Sequence, residues 1–245
     1  MAGIKTRQLT RLNKFLAANT SLSRRKADEA VLSGRVKINE LLVDSPAVSV
    51  DPIHDKIFLD GKAVNIEQKY YMLFYKPVAV LTSYKKDNNK KCLSDFDFLV
   101  KRKPAYSGRL DYNSEGLIIL SNDGDFLQKL QKPAFKIPKE YTVFTDKMLD
   151  FKCIQKLENG IIMNGIKYKP CKINVLGEKK YQIVLYEGKN RQIRNMMNYC
   201  GTHVKKLIRT KIGNIGIGDL APGKFRYLSK NEIKGLVNVQ SKSNR

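Results

Sequence analysis

Gly108-Arg109-Leu110-Asp111-Tyr112-Asn113-Ser114-Glu115-Gly116-Leu117-Ile118-Ile119-Leu120 sets an acid in a polar loop just ahead of a short apolar run. The run is the length of one buried strand, and Asn122-Asp123-Gly124 closes it with turn chemistry. Gly124 ends that turn before an amphipathic helix carrying Phe126, Leu127 and Leu130. An acid anchored this way to a rigid element suits a catalytic site. Taken alone, an aspartate in a polar loop reads as a turn residue or a surface charge.

Working outward, more strands flank this unit. Tyr70 to Tyr75 is apolar and aromatic and ends at Lys76-Pro77. Tyr141-Thr142-Val143-Phe144 and Tyr181-Gln182-Ile183-Val184-Leu185 also carry β-forming side chains. Strands mixed with scattered helices predict an α+β fold rather than a regular βαβ array.

The N-terminal region has a different texture. Leu12, Phe15 and Leu16 sit at helical spacing until Asn19-Thr20-Ser21. Ser23 is a good N-cap for a second helix with Ala27, Ala30 and Val31 on one face, and Gly34 stops it. Val36 to Asn39, Leu41 to Val43 and Ile57 to Leu59 read as short strands. A polar stretch then places a domain boundary near Glu67. Arg24, Arg25 and Lys26 fall in the first turn of the second helix, where the helix dipole disfavours cations. Such a turn is either a solvated charged face or an anion site for phosphate.

Charge narrows the range of partners. Lys and Arg total 46 against 23 for Asp and Glu, a formal net charge of +23. Lys189, Arg191, Arg194, Lys205, Lys206, Arg209 and Lys211 follow one another with no acid between them. Phosphate backbones are the commonest partner for such a stretch. Cys92, Cys153, Cys171 and Cys200 form no CxxC pair, and His54 and His203 are the only histidines, so no metal-ligand cluster is expected. The cysteines read as reduced thiols of a cytoplasmic protein. No apolar run approaches the roughly 20 residues that span a bilayer. The basic segment Met1 to Thr10 lacks a signal-peptide core. The polar end of the chain, 237–245, is expected to be a disordered tail.

Two further segments carry candidate chemistry. In Lys139-Glu140-Tyr141-Thr142-Val143, Tyr141 shares a strand face with Val143 and is either packing or a ring that stacks on a base. In Glu187-Gly188-Lys189-Asn190-Arg191-Gln192-Ile193-Arg194, a turn at Gly188 leads into a helix. Arg191 and Arg194, three apart, are expected on one side of that helix. They either grip phosphate or, in the sharper reading, Arg194 pairs with a buried carboxylate.

Together, in this order and spacing, these segments resemble the RsuA/RluB/RluF family of ribosomal RNA pseudouridine synthases. The resemblance covers about Thr10 to Leu236. It implies that Asp111, in the Gly-Arg-Leu-Asp loop, is the catalytic nucleophile, that Tyr141 contacts the target uracil, and that Arg194 pairs with the aspartate. Lys206-Leu207-Ile208-Arg209 would line the uracil pocket, with Leu207 and Ile208 as its apolar wall. Arg109, Arg191 and Gln192 would bind substrate. Asn195 departs from the pattern, since many members carry a second arginine there, which puts one phosphate contact in doubt. Residues 9–66 look like the small α/β RNA-binding domain first seen in ribosomal protein S-four, with Arg24, Arg25 and Lys26 as RNA contacts. Residues 67–236 would be the catalytic domain, a mixed, mainly antiparallel sheet with flanking helices.

The implied reaction breaks the bond from uracil nitrogen 1 to the ribose and rejoins the base through carbon 5. It implies no cofactor, and the chain has no P-loop or GxGxxG. The nucleophile must stay ionised; desolvation opposes this and a guanidinium favours it, a physical reason to want Arg194 beside Asp111. The implied partner is structured ribosomal RNA, by analogy that of the large subunit (23S), acted on by a cytoplasmic monomer. A binding-only ribosome-assembly factor would explain the charge but not the catalytic set. A methyltransferase would need a glycine-rich cofactor loop. A glycosidase would need paired carboxylates, for which Asp111 and Glu115, the latter in a turn, are the only near pair.

Overall fold

The computed structural model describes residues 9–238, with side chains as far as Leu236. The backbone divides into two compact units. Among the described residues, one holds 9–70 with Lys101–Ala105 and Ser121–Gly124; the other holds Tyr71–Val100, Tyr106–Leu120 and 125–238.

In the first unit, α1 (Leu12–Asn19) and α2 (Arg24–Leu32) follow the apolar spacing. Ser23 Oγ accepts from Lys26 N at 3.3 Å, the expected N-cap. Gly34 turns the chain out of α2 at φ +67°, a conformation that glycine adopts without strain. Four short strands, β1 (Val36–Ile38), β2 (Leu41–Leu42), β3 (Ile57–Leu59) and β4 (Lys62–Ala63), form an antiparallel sheet in the order β2-β1-β3-β4. Leu12, Leu16, Ala27, Ala30, Val31 and Val36 are fully buried between helices and sheet. The sheet has one strand more than the sequence suggested, because β4 is a two-residue pair whose side chains are exposed and leave no apolar signal.

The second unit is built on a nine-stranded sheet. Its main path uses β5 (Tyr71–Lys76), β6 (Glu115–Ser121), β7 (Lys139–Thr145), β8 (Lys172–Gly177), β9 (Lys180–Leu185), β10 (Val204–Ile212) and β11 (Phe225–Tyr227) in the order β8-β9-β7-β10-β6-β5-β11. Four helices of eight or nine residues, α3 (Gly124–Gln131), α4 (Phe151–Asn159), α5 (Gln192–Tyr199) and α6 (Lys230–Asn238), accompany the sheet. β6 is buried at every position, as its unbroken apolar run requires. It pairs in parallel with β10, while β7 is antiparallel to both β9 and β10. Leu73, Leu117, Ile119, Leu127, Ile212 and Leu236 form one core cluster.

Three expectations change. Glu115 opens β6 rather than sitting in a turn. Helix α6 extends to Asn238, two residues into the segment read as a tail, and 239–245 lie outside the described residues. Four reduced thiols were expected, but Cys153 and Cys200 form a disulfide with a Cα–Cα distance of 5.9 Å, while Cys92 and Cys171 are free and buried. The pair escaped the sequence because it joins α4 to the end of α5 across a separation of 47 residues. Such a pairing is set by tertiary geometry, not by local spacing.

Candidate active site

The two strands that flank the middle of the sheet converge on one cleft. Gly108 to Asp111 lead into β6, Lys139 and Tyr141 lie on β7, Gly188, Lys189 and Arg191 to Arg194 open α5, and Leu207 and Arg209 lie on β10; all line a cleft of about 240 Å³. All of these residues belong to the second unit.

The acid is held by its backbone. Ser114 N donates to Asp111 O at 3.0 Å, closing a turn, and Ala79 N donates to Tyr112 O at 2.8 Å. Thr82 clamps the preceding residue: its Oγ1 donates to Leu110 O at 2.8 Å and accepts from Leu110 N at 3.2 Å. The aspartate side chain keeps 32% exposure, so a substrate can reach it.

Arg194 straps this turn from across the cleft. Its Nη2 donates to Asn113 O at 2.7 Å and to Ser114 Oγ at 3.3 Å, and its Nη1 donates to Val204 O at 3.3 Å. Its Nε stands 3.9 Å from Asp111 Oδ2. Burial pulls the arginine's pKa below its usual value; the Asp111 carboxylate opposes this, and neighbouring Arg191 adds to it. Arg191 is not on the helix face the sequence suggested. It caps α5 from outside, at φ +49°, yet still lines the cleft. Gln192 is buried and works structurally: Nε2 donates to Glu187 Oε1 at 2.9 Å and Oε1 accepts from Lys189 N at 3.1 Å, which fixes the turn ahead of α5.

Strand alternation decides which β10 residues reach the cleft. Leu207 and Arg209 do, and Ile208 does not: it pairs with Glu115 of β6 and points to the other face. The expected apolar wall is therefore Leu207 alone of that pair. Arg209 takes the second position. It is 3% exposed, its Nε donates to Leu117 O at 2.6 Å, and it lies opposite Tyr141 in the β7–β10 register. The resemblance placed Arg209 on the pocket lining without a role of its own, and it does line the cleft. Arg109 lines the cleft and is exposed. Arg24, Arg25 and Lys26 are exposed in the first turn of α2, in the other unit.

Two lysines, one half-buried and one buried, were given no role from the sequence. Lys139 lines the cleft, and burial, reinforced by Arg209, pushes its pKa down to about 8. Lys76 is fully buried and donates Nζ to Pro77 O and Val80 O, both at 2.7 Å. Burial lowers its pKa to about 8 against the opposing pull of Glu115 and Asp111. Glu115 itself accepts from Tyr75 Oη at 3.3 Å and pairs with Lys206 Nζ at 3.0 Å, so it is occupied within the structure. That removes the paired-carboxylate arrangement a glycosidase would need. Among the described residues, no group of three or more His, Cys, Asp or Glu side chains is placed to hold a metal ion, and no helix is long and apolar enough to cross a membrane.

Comparison with known proteins gives the same reading. Residues 70–199 match the RNA pseudouridylate synthase family model, and residues 10–57 match the S4 domain. An uncharacterised RNA pseudouridine synthase of Aquifex aeolicus is 35% identical over 231 residues, covering 92% of this chain and 93% of its own. Ribosomal large subunit pseudouridine synthase B of Bacillus subtilis is 35% identical over 234 residues, covering 93% and 96%. A crystal structure of a pseudouridylate synthase aligns with TM-score 0.67 and 28% identity over 92% of this chain and 99% of that one. Motif order, sheet topology and relatives of matching length agree: the chain belongs to the RNA pseudouridylate synthase family, isomerases that convert uridine in RNA to pseudouridine, and carries an S4 domain ahead of its catalytic region.

Proposed function

We propose that this chain isomerises one uridine of large-subunit (23S) ribosomal RNA, in the cytoplasm and as a monomer, with Asp111 as the nucleophile. The observation that carries the proposal is the convergence of Asp111, Tyr141 and Arg194, from three separate elements, on one cleft. The Bacillus subtilis relative named for the large subunit supports the choice of RNA. Residues 9–66 serve as the RNA-binding module, with Arg24, Arg25 and Lys26 meeting phosphate, and 67–236 as the catalytic module.

The target uridine leaves its stack to enter the cleft, which costs a few kcal/mol, offset by stacking and phosphate contacts. Tyr141 stacks on the base, and Leu207 supplies an apolar wall. Arg194 holds the turn that carries Asp111 and sets a positive charge beside its carboxylate while the bond from nitrogen 1 to the ribose breaks. The base turns, carbon 5 bonds to the ribose, and the carbon 5 proton leaves, with the Tyr141 hydroxyl placed to assist. Nitrogen 1 gains a proton, so the product is an isomer of the substrate. Arg109 and Arg191, on the cleft rim, hold the flanking phosphates.

The test is release of tritium from carbon-5-labelled uridine in large- and small-subunit transcripts and in ribosomal particles. Wild type is expected to release it from large-subunit RNA, and Asp111→Asn to bind that RNA with similar affinity but release none. Equal loss of affinity in Asp111→Asn would sink the assignment of the nucleophile, and no release from any substrate would favour a binding-only role.

A further inference from the structure

A second aromatic feature adjoins the cleft. Val80–Leu81 pairs in parallel with Lys91–Cys92, and the loop between them carries Tyr84, Lys85, Lys86 and Lys90 with Asp87 as its acid. The base of the loop is fixed. Ser94 Oγ donates to Tyr84 O at 2.6 Å, and Lys85 N donates to Ser83 Oγ at 3.0 Å. The loop reaches the nucleophile's own turn, with Lys90 Nζ 5.7 Å from the ring centre of Tyr112, the residue after Asp111.

Opposite Tyr84 stands Tyr106, next to the cleft-lining Ser107 and held by Gln131, another lining residue, whose Nε2 donates to Tyr106 O at 3.2 Å. The Tyr84 and Tyr106 rings are 6.4 Å apart, inclined by 37°, and both residues are half-buried. Some other ring pairs in this protein lie closer. Phe98 stacks on Phe225 at 4.2 Å, and Phe74 meets Phe96 edge-on at 5.0 Å. The Tyr84–Tyr106 pair is tyrosine on both sides, at the wide end of the range for interacting rings. Two partly wet aromatic faces amid lysines are what single-stranded nucleic acid uses: bases stack on rings and cations meet the phosphates.

We infer that Tyr84 and Tyr106 form a stacking platform for an unpaired nucleotide neighbouring the target uridine, with Lys85, Lys90 and Lys91 meeting its phosphates. This rests on the isomerase reading above. Flipping the uridine breaks its stack with its neighbours, and the platform restores a stacking partner to one of them. It thereby positions the substrate strand without touching the reacting atoms.

The experiment measures binding of an eight-residue oligouridylate by fluorescence anisotropy, alongside tritium release from large-subunit RNA. Tyr84→Ala and Tyr106→Ala are expected to weaken oligouridylate binding by about 5- to 100-fold each. Tyr84→Phe and Tyr106→Phe keep the ring and are expected to restore it. In turnover the loss falls on KM rather than kcat. With unaltered protein, an oligouridylate carrying 5-iodouridine is expected to cross-link on irradiation to Tyr84 or Tyr106, which peptide mass spectrometry locates. Unchanged binding in the alanine variants, loss that phenylalanine fails to restore, or cross-links only elsewhere would each overturn the platform. None of these outcomes bears on whether tritium is released, so failure of the platform and failure of the isomerase reading stay distinct.

Discussion

The guanidinium of Arg194 is bonded to the turn that carries Asp111 more closely than to the carboxylate itself: Nη2 is 2.7 Å from Asn113 O, while Nε is 3.9 Å from Asp111 Oδ2. Nε is buried and has no hydrogen-bond partner. A contraction of about 1 Å would turn the ion pair into a charge-assisted hydrogen bond. The arginine therefore sets the position of the acid through the backbone and places its own positive charge near the carboxylate. Arg194→Lys keeps the charge but loses the fork that grips Asn113 and Ser114. We expect kcat in the tritium assay to fall about 100-fold, the scale of a 1 Å misplacement. RNA affinity should change little.

Lys139 gives the enzyme a pH limit. Its pKa is lowered to about 8, first by burial and then by Arg209, so the ammonium loses its charge as pH rises through that value. A cation lining the cleft is lost on the alkaline side, and RNA attraction falls with it. The expected kcat/KM profile declines above about pH 8. Lys139→Arg, charged throughout, should move that decline upward, and a profile unchanged by the substitution would remove Lys139 as its source.

Gly116 is where two strands come too close for a side chain. It has φ +111°, and a Cβ there would lie 2.3 Å from Arg209 O and 2.6 Å from Arg209 N, both backbone atoms. Gly116→Ala must push β6 from β10, which we expect to destabilise the fold by about 3 kcal/mol. Urea unfolding measures this directly, and activity should fall as well, since Arg209 moves with its backbone.

The Cys153–Cys200 disulfide should be visible as stability. A closed loop with a separation of 47 residues restricts the unfolded chain by about 4 kcal/mol in the chain-entropy account. Cys153→Ser, or a reducing agent, is expected to lower Tm by several degrees while wild type under oxidation keeps its midpoint. Equal midpoints in oxidised and reduced protein would count against the bond as a stabilising link.

Much of the catalytic half could be read from the chain. β6 declared itself because a strand buried on both faces is a continuous apolar run, and α3 because Phe126, Leu127 and Leu130 mark one face. Asp111, Tyr141 and Arg194 were found by motif order, and the fold brings them to one cleft. Ile208 was misplaced because a motif reports neighbours in sequence, whereas a strand sends neighbours to opposite faces. Lys76 could not be singled out, since nothing local distinguishes a fully buried lysine from the solvated majority. Arg191 was put on a helix that starts one residue later, a boundary set by cap geometry.

The contact of Arg209 Nε with Leu117 O joins residues 92 apart in the chain, across the parallel pairing of β6 with β10. The acid's strand leaves a ribosome well before the strand that completes the cleft, and no nascent chain short of Val204–Ile212 can hold a finished site. Loop closure on that scale is among the slower steps of folding. Catalytic competence thus waits on a closure between distant parts of the chain, and a half-made enzyme is silent rather than indiscriminate towards the RNA surrounding it at birth.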